Sequence, residues 1–306
     1  MTFKNRFLRF VNLFFIILLL VQLLPDKVSY DPKSLYTAVV ALVLEVFVIL
    51  ISIFAKEKKT LNLFLDVISF IYVFLILWTI ATAKFNWLRE YLFPAPGKIF
   101  ACLVNDRVKI LENVLSSVLI VLEGYALGIV IAIPAGLFLG WEVRAGNAAT
   151  YISKFFGSIP PIVYIPYGIA LLPSFRSVSI MVIFLAAFWP VFAGTMSGVL
   201  NVEKKIIDSA RVLNVKKHTM LFSVIFPAAL PEIFIGCNQG LSVSFILLTS
   251  AEMIGASKGI GYYVKQYSDF GDYTRTIAGL LVIGVVVIVI SFFFNKLQRY
   301  FLRWKR

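Results

Sequence analysis

Little in this sequence could carry chemistry by itself. It has one histidine, His218, and two cysteines, Cys102 and Cys237, and only 16 of its 306 residues are acidic. A lone histidine without a Cys, Asp or second His at ligand spacing makes no metal site. Ser-His-Asp hydrolysis needs its histidine beside a pocket, and His218 stands in a lysine-rich connecting loop, so no catalytic residue is assigned. Two cysteines cannot make a disulfide framework, and the spans below put them toward opposite sides of a bilayer, so both are expected to be free thiols. No Gly-x4-Gly-Lys-Ser/Thr stretch exists to cradle phosphates, which argues against ATP hydrolysis by this chain. Charged residues make up 15% of the chain and hydrophobic residues 60%, which excludes a water-soluble globule. The formal charge of +13 would suggest nucleic acid in a soluble protein; on so apolar a chain it suggests membrane lipid, and no nucleic-acid partner is expected.

What the chain does have is long apolar runs. A hydrocarbon core about 30 Å thick takes roughly 20 helical residues. Eight such runs lie near 7–24, 34–55, 61–83, 110–140, 155–172, 178–200, 232–254 and 276–295, so the expected class is an all-α integral membrane protein of about eight transmembrane helices. The first run has the basic front of an export signal but no small-x-small cleavage site before Pro25, and is read as an uncleaved signal anchor. The fourth is too long for one straight crossing and holds Gly124, Gly128, Pro134 and Gly136, which predicts a bend near its far end. The fifth holds Pro160, Pro161 and Pro166. Backbone groups freed by proline at membrane depth need neighbouring helices or a cavity, which predicts a place inside the bundle.

Lys and Arg concentrate in alternate connections: Lys4, Arg6 and Arg9; Lys56, Lys58 and Lys59; Arg144 and Lys154; the 203–227 loop; and the tail from Lys296 to Arg306. The positive-inside rule then makes both termini cytoplasmic. On the other side, Asp26, Asp31, Glu90, Asp106, Asp269 and Asp272 offset several cations. In the connector 84–107, Trp87, Tyr91 and Phe93 suggest an amphipathic segment at the outer interface. A boundary is read near residue 84, with 1–83 an appended helical region and 84–306 a core.

The connection at 203–227 is far longer than a helix-bundle turn requires. Val202, Ile206, Ala210 and Leu213 recur at helical spacing, Asn214 interrupts, and Leu221, Phe222 and Ile225 resume before Pro227. Two short amphipathic helices are predicted, with the break at Asn214 because Asn tolerates the left-handed conformation. Lys204, Lys205, Arg211, Lys216, Lys217 and His218 would face the cytoplasm. Composition alone is equally compatible with a basic loop resting on anionic lipid.

The spacing within this loop is specific. Asp208-Ser209-Ala210, three residues, Asn214, nine residues, Val224, one residue and Phe226-Pro227 resembles the Glu-Ala-Ala…Gly…Ile-x-Leu-Pro loop of permease subunits of binding-protein-dependent ABC importers. FPAPGKI at 93–99, the passage from Phe188 to Asn214, FPAALPEIFIGCNQGL at 226–241 and AEMIGASKGIGYYV at 251–264 resemble the nitrate, sulfonate and taurine branch of that family. The likeness covers roughly 90–300 and leaves out 1–83. It implies a six-span type I importer core, with two extra spans before it. It also implies a bacterial inner-membrane location, a separate ATPase that binds ATP and Mg, an extracytoplasmic solute-binding protein and a second permease copy, most simply as a homodimer. No cofactor would belong to this subunit. The solute would be nitrate-, sulfonate- or taurine-like, or a vitamin precursor. The resemblance makes Asp208, Ser209, Ala210, Arg211, Asn214, Val215, Lys216, His218 and Phe222 the residues that couple to the ATPase.

For the pathway, Asn238, Ser242, Thr249 and Glu252 share one helical face and are the candidate wall, with Trp189 and Tyr164 as possible solute contacts. The alternative for the stripe is hydrogen bonding between helices, and for Glu252 a cap on the following loop. The glycines of GASKGIG, 255–261, follow a span rather than a strand and are not read as a phosphate loop. Glu45, Asp66 and Glu123 lie at or near membrane depth; as proton carriers they would make the chain a stand-alone secondary transporter, the competing reading. Lys58 or Lys59 is the expected partner of Asp66, and Glu45 has none evident in sequence.

Overall fold

The computed structural model describes residues 3–27, 34–54 and 58–305, with the side chains of 3–9, 34, 54, 58–60, 143 and 305 outside the description. Asp31, Lys56 and Arg306, and the pairing of Asp66 with Lys58 or Lys59, fall outside it. Among the described residues every regular element is helical. In order these are α1 (Phe3–Leu23), α2 (Ser34–Phe54), α3 (Lys58–Thr79), α4 (Pro96–Asn105), α5 (Arg107–Trp141), α6 (Val143–Gly157) and α7 (Ile165–Leu171). There follow α8 (Phe175–Leu200), α9 (Lys204–Val212), α10 (Lys217–Thr219), α11 (Phe226–Gly255), α12 (Ile260–Asp269) and α13 (Tyr273–Phe301). Six stretches are long and apolar enough to cross a membrane: Leu35–Ile53, Leu61–Lys84, Arg107–Trp141, Phe175–Leu200, Lys217–Gly255 and Tyr273–Phe301. The other two apolar runs form the shorter helical stretches Phe10–Leu23 and Pro161–Leu171. The chain divides into two compact units, Met1–Ile110 with Gln266–Ala278, and Leu111–Lys265 with Gly279–Arg306.

In the first unit, α1, α2 and α3 share a core of Val11, Leu18, Ala41, Val48, Leu61, Leu65, Ile68, Tyr72 and Leu75. The α3 positions alternate steps of four and three, the heptad spacing that keeps one seam against its neighbours. Glu45 has a partner that the sequence did not advertise: the Tyr72 hydroxyl donates to Glu45 Oε2 at 2.9 Å. A π-helical turn, Ile80–Lys84, ends the third span and turns Lys84 inward. Its ammonium donates to Leu24 O at 2.5 Å and Gln22 O at 3.3 Å and pairs with Asp26 Oδ1 at 2.6 Å. The last carbonyls of a helix have no partner within it, and a cation placed there supplies both hydrogen bonds and a favourable dipole interaction. Lys84→Ala is expected to destabilise this unit by about 1–2 kcal/mol, because partly buried carbonyls and Asp26 lose a charged donor. Thermal unfolding in detergent, followed by Trp78 and Trp87 fluorescence, would show a lowered midpoint; an unchanged midpoint would refute the cap.

In the second unit, α8 lies between α5 and α11 at backbone contact. A Cβ built on Gly236 of α11 would lie 2.5 Å from Pro190 O of α8, and one on Gly194 of α8 would lie 2.8 Å from Glu232 O. Small residues let membrane helices approach this closely, and the gain is dispersion and packing where lipid offers no hydrophobic drive. Gly124, Gly128, Gly136 and Gly140 of α5 face Ile183, Ala187, Thr195 and Val199 of α8 in the same way. The α5 glycines that the sequence offered as bend signals are therefore packing sites, and α5 runs its 35 residues with Pro134 inside the helix.

Two proline expectations need correction. Pro227 does not stop the chain: the π-helical turn Met220–Ile225 precedes it, and Lys217–Gly255 is continuous helix. A π turn displaces the preceding carbonyls, so a residue without an N–H and with a bulky ring fits at the start of the next α segment. The fifth run does break, with Pro160 extended at ψ 124° and a 3₁₀ turn at Pro161–Tyr164, but it is not enclosed by this chain. Ile165 and Gly168 pack toward Val178, while Tyr151, Phe155, Tyr167 and Leu171 stay exposed. The segment packs on α8 and α11 through Ile162 and Ile165 and leaves its other side open.

Candidate functional site

The 203–227 loop folds as one short helix, a reversal and the start of a long one. In α9 the polar face carries Lys204, Lys205 and Asp208, and Ala210 turns into the core cluster of the second unit. The helix ends in the pattern that the break demanded. Asn214 takes φ +50°, its N–H donates to Arg211 O at 2.9 Å, and Val215 N–H donates to Ala210 O at 3.2 Å. These two bonds across a left-handed residue are a Schellman closure, usually built on Gly; Asn is the side chain that tolerates it best. Ser209 Oγ is spent on Lys205 O at 2.7 Å.

The tip exposed by this reversal is apolar. Val212 is 83% exposed and Leu213 77%, although Leu213 continues the spacing that the sequence assigned to a buried face. The closure explains the difference: Leu213 stands at the end of the helix, where the chain turns back and no neighbour covers it. Arg211, Lys216, Lys217 and His218 surround the pair and are all exposed. The Asp208–Arg211 contact, at 3.6 Å between exposed side chains, contributes little. A groove of about 450 Å³ runs beside the tip, lined by Lys205, Ile206, Ser209, Ala210, Leu213, Val215 and Val224. The Phe222 ring centroid is 4.7 Å from His218 and 6.3 Å from Phe138 of α5. The site thus consists of exposed apolar residues within a cationic rim, a surface suited to bind a protein rather than to transform a molecule.

The polar residues of α11 separate into two groups. Ser242 is exposed and bonds back to Asn238 O at 3.0 Å, Asn238 is half-buried, and half-buried Thr249 bonds to Phe245 O at 2.9 Å. Glu252 parts from them: it is 1% exposed and accepts from Ser117 Oγ of α5 at 2.6 Å and from Gly261 N–H at 2.8 Å. Asn113 and Ser117 of α5, which the sequence did not single out, accept from Gly259 N–H and Ile260 N–H, each at 2.9 Å. Trp189 lies in an aromatic cluster, stacked on Phe156 at 5.4 Å and edge-on to Phe188 at 4.8 Å, and Tyr164 is half-buried. Tyr125 donates to Cys237 O at 2.7 Å across α5 and α11. Of the three acids offered as proton carriers, Glu45 is held by Tyr72 and Glu123 is ion-paired with Arg176 on the surface, with Asp66 partly buried. Both cysteines are free thiols.

Comparison with known proteins bears on the whole arrangement. The family described as binding-protein-dependent transport system inner membrane component matches residues 124–306. A probable ABC transporter permease protein of Brucella abortus (strain 2308) is 32% identical over 197 residues, 64% of this chain and 79% of that protein. The putative aliphatic sulfonates transport permease protein of Bacillus subtilis (strain 168) is 32% identical over 183 residues, 60% of this chain and 66% of that protein. The taurine transport system permease protein of Escherichia coli (strain K12) is 26% identical over 234 residues, 74% of this chain and 84% of that protein. The matched region takes in both the Schellman-closed loop and the polar end of α11, and membership marks a membrane-spanning transport component rather than an enzyme. This chain belongs to the binding-protein-dependent transport system inner membrane component family, as a permease subunit of an ABC importer of the nitrate, sulfonate and taurine type.

Proposed function

We propose that the 203–227 loop is the lever through which a separate ATPase, the subunit that binds ATP and Mg, drives this permease. The observation that carries the reading is the exposed pair Val212 and Leu213 at the tip of an otherwise cationic loop. Two large apolar side chains held out by a defined backbone closure gain most from burial against a protein cleft. Asp208, Ser209, Ala210, Arg211, Asn214, Val215, Lys216, His218 and Phe222 shape or surround that tip. The chain sits in the bacterial cytoplasmic membrane, among lipid, with both termini inside. A second copy completes the route, and the exposed aromatic side of the α6–α7 segment favours a neighbour there. An extracytoplasmic binding protein delivers a small nitrate-, sulfonate- or taurine-like solute or a vitamin precursor. Asn238, Ser242 and Thr249 remain the proposed pathway wall, with 84–306 the importer core and 1–83 an appended helical region.

Co-purification in mild detergent tests the lever. The chain should bring down a stoichiometric ATPase, and Asp208→Lys should alter its turnover. Asn214→Gly should keep ATPase association at its normal level, because Gly takes φ +50° freely. Asn214→Ile should weaken association by about tenfold, since a β-branched residue in the left-handed region costs roughly 1–2 kcal/mol and shifts the tip. Solute uptake that persists without the ATPase would refute the reading.

A further inference from the structure

The Gly259-Ile260-Gly261 turn, with its two glycines, is the seat of a buried polar cluster. Three consecutive N–H groups at the start of α12 point at side chains from two other helices: Gly259 at Asn113 Oδ1, Ile260 at Ser117 Oγ, and Gly261 at Glu252 Oε2. Ser117 completes the circuit by donating to Glu252 Oε1 at 2.6 Å. Successive backbone N–H groups at a helix start form a concavity for hydrogen-bond acceptors, and here Asn113, Ser117 and Glu252 fill it with one bond each. The glycines are steric necessities. A Cβ on Gly259 would sit on the Glu252 carboxylate and one on Gly261 would lie 2.5 Å from Thr249 O, while φ at Gly259 is +128°.

A buried carboxylate is a poor choice for stability alone, because apolar packing of the same volume is often equal or better. What it supplies is orientation: every bond in the cluster is directional, and the cluster fixes the loop after α11 to α5 in one register. Its position gives that orientation a use. Lys217–Gly255 is one continuous helix, so the proposed ATPase lever lies at one end and Glu252 at the other. The α11 segment between them is 30 residues, or about 45 Å, long.

We propose that Glu252 is a positioning residue of the transport cycle. It clasps α11 to Ser117 of α5 and to the start of α12, so that movement imposed at the 203–227 loop is delivered to those two elements at the opposite end of the rod. This rests on the lever reading of the preceding subsection. Without the clasp, α11 would still be pushed, but the turn at 256–261 and α5 would not follow it.

Hydrogen–deuterium exchange on the complete transporter in lipid nanodiscs tests this, with and without ATP and vanadate to trap the ATPase. In the unaltered protein, trapping should change exchange over both 203–227 and 256–264. In Glu252→Leu, of similar volume, both carboxyl oxygens are gone, so the bonds to Ser117 Oγ and Gly261 N–H are lost together. Exchange at 256–264 should then rise about tenfold without nucleotide. The response to trapping should persist at 203–227 and vanish at 256–264. Ser117→Ala, which leaves Ile260 N–H without its acceptor and Glu252 Oε1 without its donor, should give the same split and decides the matter if Glu252→Leu does not assemble. A variant whose 256–264 segment still responds to trapping as the unaltered protein does overturns the proposal. So does an unaltered protein in which only 203–227 responds. If 203–227 itself is silent in the unaltered protein, the lever reading fails and the clasp proposal falls with it.

Discussion

Gly236→Leu is expected to abolish the folded protein. The added side chain would start 2.5 Å from the carbonyl oxygen of Pro190, with the Cα atoms of Gly194 and Val191 each 3.2 Å away, so backbone rather than a rotatable side chain has to yield. Overpacking a core usually costs about 1–3 kcal/mol because side chains can shift. Here α8 and α11 must separate along their length, which also undoes the fits at Gly194, Gly198 and Gly240, and the cost is expected above about 4 kcal/mol. Gly284→Leu is the control, since nothing lies within 4 Å of a Cβ there. Yield of monodisperse protein in size-exclusion chromatography should collapse for the first and stay normal for the second. A monodisperse Gly236→Leu protein at ordinary yield would mean that α8 and α11 do not touch as described.

The second large effect is on function without loss of fold. Val212→Asp with Leu213→Asp places two charges where 83% and 77% of each residue is exposed to solvent, so the isolated permease should unfold at its usual temperature. Apolar anchors at the centre of a protein interface are worth roughly 2–4 kcal/mol each when removed, and a buried charge in their place adds to the loss. ATPase association should therefore fall by at least about a hundredfold, and ATP-driven uptake with it. Lys204→Gln, on the polar face of the same helix, should change association by no more than about threefold. Surface binding of the purified ATPase to immobilised permease distinguishes these outcomes; equal affinity for the double variant would remove the loop tip from the interface.

How much of this could be read from the residues depended on whether the relevant physics was local. The spans were legible because a bilayer demands a long apolar stretch whatever the neighbours do, and the reversal at Asn214 because left-handed backbone is a property of the residue itself. Pro227 misled because a π turn six residues long accommodates it, and that turn is set by packing rather than by any local code. The glycines of α5 recur as Gly-x3-Gly at 124/128 and 136/140, a spacing that signals close helix contact, but with Pro134 among them they read as a bend; α8 opposite them decides for contact. In sequence Glu252 reads as part of the pathway stripe, with a cap on the following loop as the alternative; the bond to Gly261 is of that second kind, while Ser117, its other partner, belongs to a helix more than a hundred residues earlier. The appropriate signal was present in part: an acid seven residues before a Gly-x-Gly turn is within reach of those N–H groups.

Lys84 imposes an order in time on how the protein is made. The carbonyls of Gln22 and Leu24 wait for an ammonium encoded 62 and 60 residues later. At about 5–20 residues per second a ribosome needs roughly 3–12 s to supply it. For that interval the first helix stands in or at the lipid with its end unsealed, and it can reach its final seat only after the third span has been threaded and its π turn has swung the lysine home. The end of the first helix is thus closed from behind, by the last residue of the third span.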